Sequence, residues 1–115
     1  AVLGDRIQLQ QVLLNLVLNA AAAMKDTPQE SRQLAITTVV QDSRSVMVSV
    51  RDSGTGIDKD FMDRLFEPFC TKKVDGLGMG LSISRSIIKA HNGTIGARNN
   101  PEGGATFYFT LPMDI

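Results

Sequence analysis

A nearly unbroken apolar stretch constrains the fold of this 115-residue chain more than any other feature. Between Val12 and Met24 the only polar side chains are Asn15 and Asn19. A helix this apolar must be buried against a larger partner, since short helices gain most of their stability from tertiary packing. Pro28 then breaks the helical hydrogen-bond ladder. The sequence therefore predicts a helix from about Asp5 to about Lys25 that packs against a sheet.

The rest of the chain predicts that sheet and two further helices. The last predicted strand alternates strictly, with Ala105, Phe107, Phe109 and Leu111 on one face. The order of helix, two strands, two helices and two strands predicts an α+β fold, a two-layer sandwich with helices over a mostly antiparallel, mixed sheet. The predicted elements after the first helix are strands at about 34–40 and 46–52, helices at about 60–66 and 81–91, and strands at about 94–98 and 105–111.

Composition excludes several classes of function. Twelve basic side chains balance twelve acidic ones, so no net charge steers the chain toward nucleic acid or an anionic membrane. The single cysteine, Cys70, cannot form an internal disulfide, which indicates a reducing compartment. No apolar run reaches the roughly 20 residues that span a bilayer. We therefore expect a cytoplasmic domain of residues 1–115 without direct membrane contact, whether or not its parent protein is anchored.

Polar amides recur along one face of the first helix. Gln11, Asn15 and Asn19 are spaced four residues apart and so lie in one line. One interpretation is that this line is the solvated side of a surface helix. Lysine or glutamate would suit solvent better, however, and neither occurs between Ile7 and Met24. The alternative is that the amides are ligands, because a neutral amide oxygen can bind Mg²⁺ that already shares phosphate oxygens.

Asp52 breaks the packing rule of its own strand. In a strand, alternate residues point to the same face, so Asp52 shares a face with the apolar Val46, Val48 and Val50. A carboxylate on a core face is costly without a dedicated partner. It could cap the turn that begins at Ser53. It could instead accept a hydrogen bond from the exocyclic amine of adenine, where guanine presents a carbonyl oxygen.

Glycines precede the predicted second long helix. Gly76-Leu77-Gly78-Met79-Gly80 would expose N–H groups at a helix start, an arrangement that favours phosphate. Thr71, Lys72 and Lys73 lie just upstream and could meet a phosphate tail, although a solvated loop explains them equally well.

Five motifs then follow one another in the order of a known family. They are Asn15 to Ala20 (N box), Asp52 to Ile57 (G1 box), Leu65 to Phe69 (F box), Gly76 to Leu81 (G2 box) and Gly103 to Phe107 (last glycine box). Together they resemble the ATP-binding catalytic domain of sensor histidine kinases. This domain has the Bergerat ATP-binding fold of the superfamily that includes gyrase, Hsp90 and MutL.

The resemblance implies ATP and Mg²⁺ as cofactors and assigns roles to individual residues. Asn19 is the expected Mg²⁺ ligand, with Asn15 and Lys72 as the other expected catalytic residues. Asp52 is the expected adenine partner, helped by the Thr106 hydroxyl. A mobile lid is expected from Cys70 to Met79, with Phe66 and Phe69 at its base. The nucleotide-binding residues implied are Asn15, Asn19, Ala23, Asp52, Gly54, Gly56, Ile57, Phe69, Thr71, Lys72, Lys73, Gly76, Leu77, Gly78, Met79, Gly80, Leu81 and Thr106.

One departure within the superfamily points to the reaction. Gyrase, Hsp90 and MutL relatives carry a water-activating glutamate at the position of Asn15, and an amide cannot act as a base. The resemblance therefore implies phosphoryl transfer to an outside nucleophile rather than hydrolysis. The family's nucleophile is a histidine on a separate dimerisation domain of a homodimeric parent, from which phosphate passes to a response regulator. His91 is expected to end a helix instead. The alternatives are a serine-directed kinase of the same fold and a non-catalytic nucleotide-sensing module.

Overall fold

The computed structural model describes residues 6–25, 27–42, 44–62, 64–67 and 77–112. Within these ranges the chain forms two long helices, one short helix and a four-stranded sheet. In chain order the elements are α1 (Arg6–Ala23), a single 3₁₀ turn (Gln29–Ser31), β1 (Leu34–Asp42), β2 (Ser45–Asp52), α2 (Lys59–Met62), α3 (Leu77–Ala90), β3 (Thr94–Asn99) and β4 (Ala105–Pro112).

The strands form one sheet in the order β1-β2-β4-β3, and all three pairings are antiparallel. Strand β2 lies between its hairpin partner β1 and the last strand, with Val50 opposite Ile36 on one side and Phe107 on the other. The end of β2 therefore lies inside the sheet and is held from both sides. The expected α+β sandwich is confirmed, but the described strands contain no parallel pair, so the sheet is not mixed.

Helices α1 and α3 lie side by side and cover one face of the sheet. Val12, Leu16 and Ala20 of α1 are fully buried, as is Ile88 of α3. The predicted alternation of β4 is confirmed, because all four residues of its apolar face are buried. The sheet side of this core consists of Val46, Val50, Ala105, Phe107, Phe109 and Leu111.

Helix α3 begins earlier than the sequence predicts. The backbone is helical from Leu77, although the glycine-rich stretch was expected to be a loop up to Leu81. Each helical glycine costs about 1 kcal/mol relative to alanine. Burial of Leu81, Ile87 and Ile88 against the core offsets this penalty.

Two other helix boundaries also differ. Helix α1 ends at Ala23 rather than near Lys25. Helix α2 covers only Lys59–Met62 rather than the predicted 60–66, and its start is fixed by Asp58, whose Oδ1 accepts a hydrogen bond from the Asp60 N–H at 2.9 Å. No helix in the described ranges is long and apolar enough to cross a membrane.

Two leucines of α1 provide a direct test of this packing. Leu16 is fully buried, whereas Leu18 is 44% exposed. We expect Leu16→Ala to lower the free energy of unfolding by about 2–5 kcal/mol, because truncation leaves a cavity in the core. Leu18→Ala, with the same change of side chain on the same helix, should lower it by less than about 1 kcal/mol. Urea denaturation of both variants measures the difference, and equal losses would contradict the described orientation of α1.

Candidate functional site

The carboxylate of Asp52 lies at the end of β2 and is only 2% exposed. Its Oδ1 accepts hydrogen bonds from the Gly54 N–H at 2.9 Å and the Ala105 N–H at 3.2 Å. Its Oδ2 is buried and has no hydrogen-bond partner, the only such side-chain atom found in the described residues. A buried acceptor without a partner is costly, so this atom indicates a ligand that donates a hydrogen bond. The turn-capping alternative explains the Gly54 contact of Oδ1 and leaves Oδ2 unexplained.

The loop after Asp52 lies directly against the end of α1. The Thr55 N–H donates to the carbonyl oxygen of Ala23 at 3.3 Å. A Cβ added to Gly54 would overlap the same carbonyl group, so only glycine permits this approach. The loop and the helix end are therefore in backbone contact.

Ser53 attaches a second segment to the same place. Its hydroxyl donates to the carbonyl oxygen of Ser31 at 2.9 Å and accepts from the Gln33 N–H at 2.8 Å. The chain between α1 and β1 is thus held beside Asp52.

The predicted amide line of α1 extends away from this loop. Ala23, Asn19 and Asn15 are four residues apart, so they lie on one helix face with about 12 Å between its ends. At the far end the Asn15 side-chain amide donates to the hydroxyl of Ser84, a fully buried residue of α3, at 3.2 Å. Asn15 and Asn19 are half-buried, whereas Gln11 is exposed. The solvated-face interpretation therefore holds for Gln11, whereas Asn15 contacts α3 and Asn19 is partly covered.

Two asparagines that the sequence analysis missed hold the loop from the opposite side. Asn99 binds Ile57 twice, accepting from its N–H at 2.6 Å and donating to its carbonyl oxygen at 3.0 Å. Asn100 is buried and donates from Nδ2 to the carbonyl oxygen of Asp52 at 3.2 Å. In the sequence, Asn99-Asn100-Pro101 indicates only a turn, because the partners lie more than forty residues away.

Thr106 is buried, and its expected help in adenine binding remains a prediction. It pairs with Arg51 in the sheet register, one position before Asp52. Its hydroxyl donates to Oδ1 of Asn100. Its link to Asp52 is therefore indirect and passes through the Asn100 amide.

The phosphate side of the predicted site is described only in part. Phe69, Thr71, Lys72, Lys73 and Gly76 lie outside the described residues, so the lid remains a prediction. Leu77, Gly78, Met79 and Gly80 form the first turn of α3, and Leu81 is buried in the core. That first turn has no acidic residue, which would oppose an anion.

Phe66, which was expected at the base of the lid, packs on the core, and its ring meets Phe107 edge-on with 6.5 Å between ring centres. Ile57 and Leu65 contact the same buried cluster. His91, expected to be the last residue of this helix, instead follows α3 directly, because α3 ends at Ala90. Its Nδ1 lies 2.7 Å from the Ile87 carbonyl oxygen. The described ranges contain no cluster of three His, Cys, Asp or Glu side chains that could hold a metal.

The chain as a whole matches a known family. The family model described as histidine kinase-, DNA gyrase B- and HSP90-like ATPase matches residues 4–115. The chain belongs to this ATPase family. Within it, the chain is an ATP-binding catalytic domain of the sensor histidine kinase type, as the following relatives show.

The sensor protein FixL of Bradyrhizobium diazoefficiens is 49% identical over 111 residues, which is 96% of this chain and 22% of that protein. The domain therefore spans about a fifth of this relative. The nucleotide-free catalytic domain of histidine kinase ThkA is 39% identical, with a TM-score of 0.81, over 95% of this chain and 68% of that one.

Two complexes are also similar. Full-length ShkA with AMPPNP is 33% identical, with a TM-score of 0.80, over 96% of this chain and 22% of that one. ThkA with the response regulator TrrA is 35% identical, with a TM-score of 0.75, over 96% of this chain and 30% of that one.

Two neighbouring glycines allow a test of the close contact between the β3–β4 turn and the Asp52 main chain. Gly103 and Gly104 both have positive φ, so alanine strains the backbone at either position by about 1–3 kcal/mol. Only at Gly104 would the new Cβ also overlap the carbonyl oxygen of Asp52; at Gly103 it meets open space. We expect Gly104→Ala to lower the melting temperature clearly more than Gly103→Ala in thermal unfolding. A larger effect at Gly103 would show that the turn does not press on Asp52.

Proposed function

We propose that this domain binds Mg-ATP between α1, the Asp52 loop and the start of α3, and donates the γ-phosphate to a histidine on a separate dimerisation domain. The observation that carries the proposal is the unpartnered, buried Oδ2 of Asp52. This oxygen is an acceptor at one end of the line of neutral amides on α1. The backbone around Asp52 approaches so closely that only glycine fits at Gly54 and Gly104.

Adenine fits the polarity of this acceptor. With Oδ1 occupied by two backbone donors, Oδ2 is left to accept one hydrogen bond from the 6-amino group of adenine. Guanine would present a carbonyl oxygen to the carboxylate, and two acceptors facing each other would leave both unpaired. Similarity to ShkA, which was solved with AMPPNP, supports an adenine nucleotide.

The amides of α1 are suited to the metal and the phosphates. Asn19 lies one helical turn from Ala23, so its neutral oxygen would face the phosphates of a nucleotide whose base contacts Asp52. Bound Mg²⁺ would neutralise charge on the phosphates. Asn15 would line the phosphate side, with its amide oriented by Ser84. Lys72 or Lys73 would add positive charge from the lid.

Transfer is favoured over hydrolysis because the site residues include no base beside the predicted Mg²⁺ ligand. Asn15 is an amide, and its side-chain N–H group is engaged by a hydroxyl. The chain would therefore work by holding ATP and neutralising charge, with the nucleophile supplied by the histidine-bearing domain. The similar kinase ThkA was solved with the response regulator TrrA, which supports a response regulator as the next acceptor of the phosphate. The parent would act as a homodimer, as the family resemblance implies.

Exchanging the carboxylate for an amide should remove or reverse the preference for adenine over guanine. In Asp52→Asn, the oxygen can keep the two backbone N–H groups, which turns the amide nitrogen toward the base. A donor then faces the adenine amine, and we expect ATP affinity to fall by about tenfold to a hundredfold, with the ATP-to-GTP preference lost or inverted. Calorimetric titration with each nucleotide in Mg²⁺ measures both constants. Equal affinity of the unchanged protein for ATP and GTP would refute the adenine assignment.

A transfer assay tests the reaction itself. The domain is mixed with γ-labelled ATP, Mg²⁺ and the dimerisation domain of a sensor kinase relative. We expect acid-labile, base-stable label on that domain and almost no phosphate release without it. Asn19→Ala should abolish transfer and remove the Mg²⁺ dependence of ATP binding. Acid-stable label would instead indicate a serine-directed kinase, and ATP binding without any transfer would favour a nucleotide-sensing module.

A further inference from the structure

The turn between β3 and β4 has two side-chain anchors, and only one of them is buried. Glu102 pairs with Arg51 at 3.0 Å, but these side chains are 62% and 52% exposed, so the ion pair adds little to stability. Asn100 is 8% exposed and bonds three groups. Its Nδ2 donates to the carbonyl oxygens of Asp52 and Gly103, and its Oδ1 accepts from the Thr106 hydroxyl.

The carbonyl oxygens of Asp52 and Gly103 fix which end of the Asn100 amide faces Asp52. A carbonyl oxygen can only accept, so both require the amide nitrogen on their side, and the Thr106 hydroxyl then donates to Oδ1 on the other side. Every hydrogen-bonding group of this amide that faces Asp52 is thus a donor. The position of the Asp52 main chain therefore depends on Asn100 as well as on the pairing of β2 with β1.

Asp52 is then held at both of its ends. Asn100 fixes its main-chain carbonyl, and the N–H groups of Gly54 and Ala105 fix Oδ1. The position of Oδ2 follows from these three contacts, because a carboxylate with one oxygen and its own backbone fixed has no remaining freedom to rotate.

We propose that Asn100 is a positioning residue for base selection: through the Asp52 backbone it sets the place where Oδ2 meets the 6-amino group of adenine. This inference rests on the proposed function. Asn100 would not contact the nucleotide directly. Its removal should therefore weaken recognition of the amine and leave recognition of the phosphates unchanged.

The test compares ATP with purine riboside triphosphate, which lacks only the 6-amino group. For the unchanged protein we expect ATP to bind about tenfold more tightly, as one buried hydrogen bond to a charged acceptor provides. Asn100→Ala should reduce this ratio to below about threefold, mainly by weakening ATP binding. Glu102→Ala, which removes the other anchor of the same turn, should leave the ratio unchanged. Calorimetry in Mg²⁺ gives all the constants.

The possible results separate a failure of this inference from a failure of the proposed function. If Asn100→Ala keeps the tenfold ratio while its melting temperature falls, Asn100 only stabilises the turn and the inference is overturned. If Asn100→Ala does not fold, Asn100→Asp decides instead, because it conserves volume and keeps an acceptor for the Thr106 hydroxyl while it removes the N–H donors that face the carbonyl oxygens of Asp52 and Gly103. A reduced ratio supports the inference and an unchanged ratio overturns it. If the unchanged protein binds neither nucleotide, or both equally, the proposed function itself has failed.

Discussion

The rest of the site depends on the burial of one carboxylate. An ionised side chain at the end of a central strand is unfavourable unless its surroundings replace the water that it loses. Here, backbone N–H groups replace the water on one oxygen only. The loop, the glycine turn and the Asn100 amide all contact the main chain or side chain of this residue. Asp52 therefore affects both the stability of the fold and the proposed recognition of a ligand. Its unpaired oxygen costs stability, and the proposed ligand would supply the missing hydrogen bond.

Local patterns made much of the fold predictable. The strict alternation of β4 could be satisfied only by a strand with one buried face, and the parity of Asp52 with Val46 and Val50 was enough to predict a carboxylate on the core side. The hairpin of β1 and β2 followed from turn chemistry between two strand-like runs. These signals are strong because an element with one buried face needs apolar residues at the period of its own backbone.

Long-range contacts account for what the sequence did not show. Asn99 and Asn100 bind backbone groups that lie more than forty residues away, and no local pattern distinguishes a turn asparagine from a buried one. The early start of α3 has a similar cause: glycine propensity predicted a loop, but packing of the following apolar residues outweighed that preference. Thr106 was expected by resemblance to help Asp52 bind adenine, and no local pattern shows that its hydroxyl binds the Asn100 amide.

The single helix α1 contacts both ends of the proposed nucleotide site. Its final carbonyl touches the Asp52 loop, and its middle touches α3 through Asn15. A continuous helix resists stretching. The distance between the groups that would hold the base and those that would hold the phosphates is therefore set before a nucleotide binds. A nucleotide bound there would therefore keep the same separation between its base support and its phosphate support after the γ-phosphate leaves.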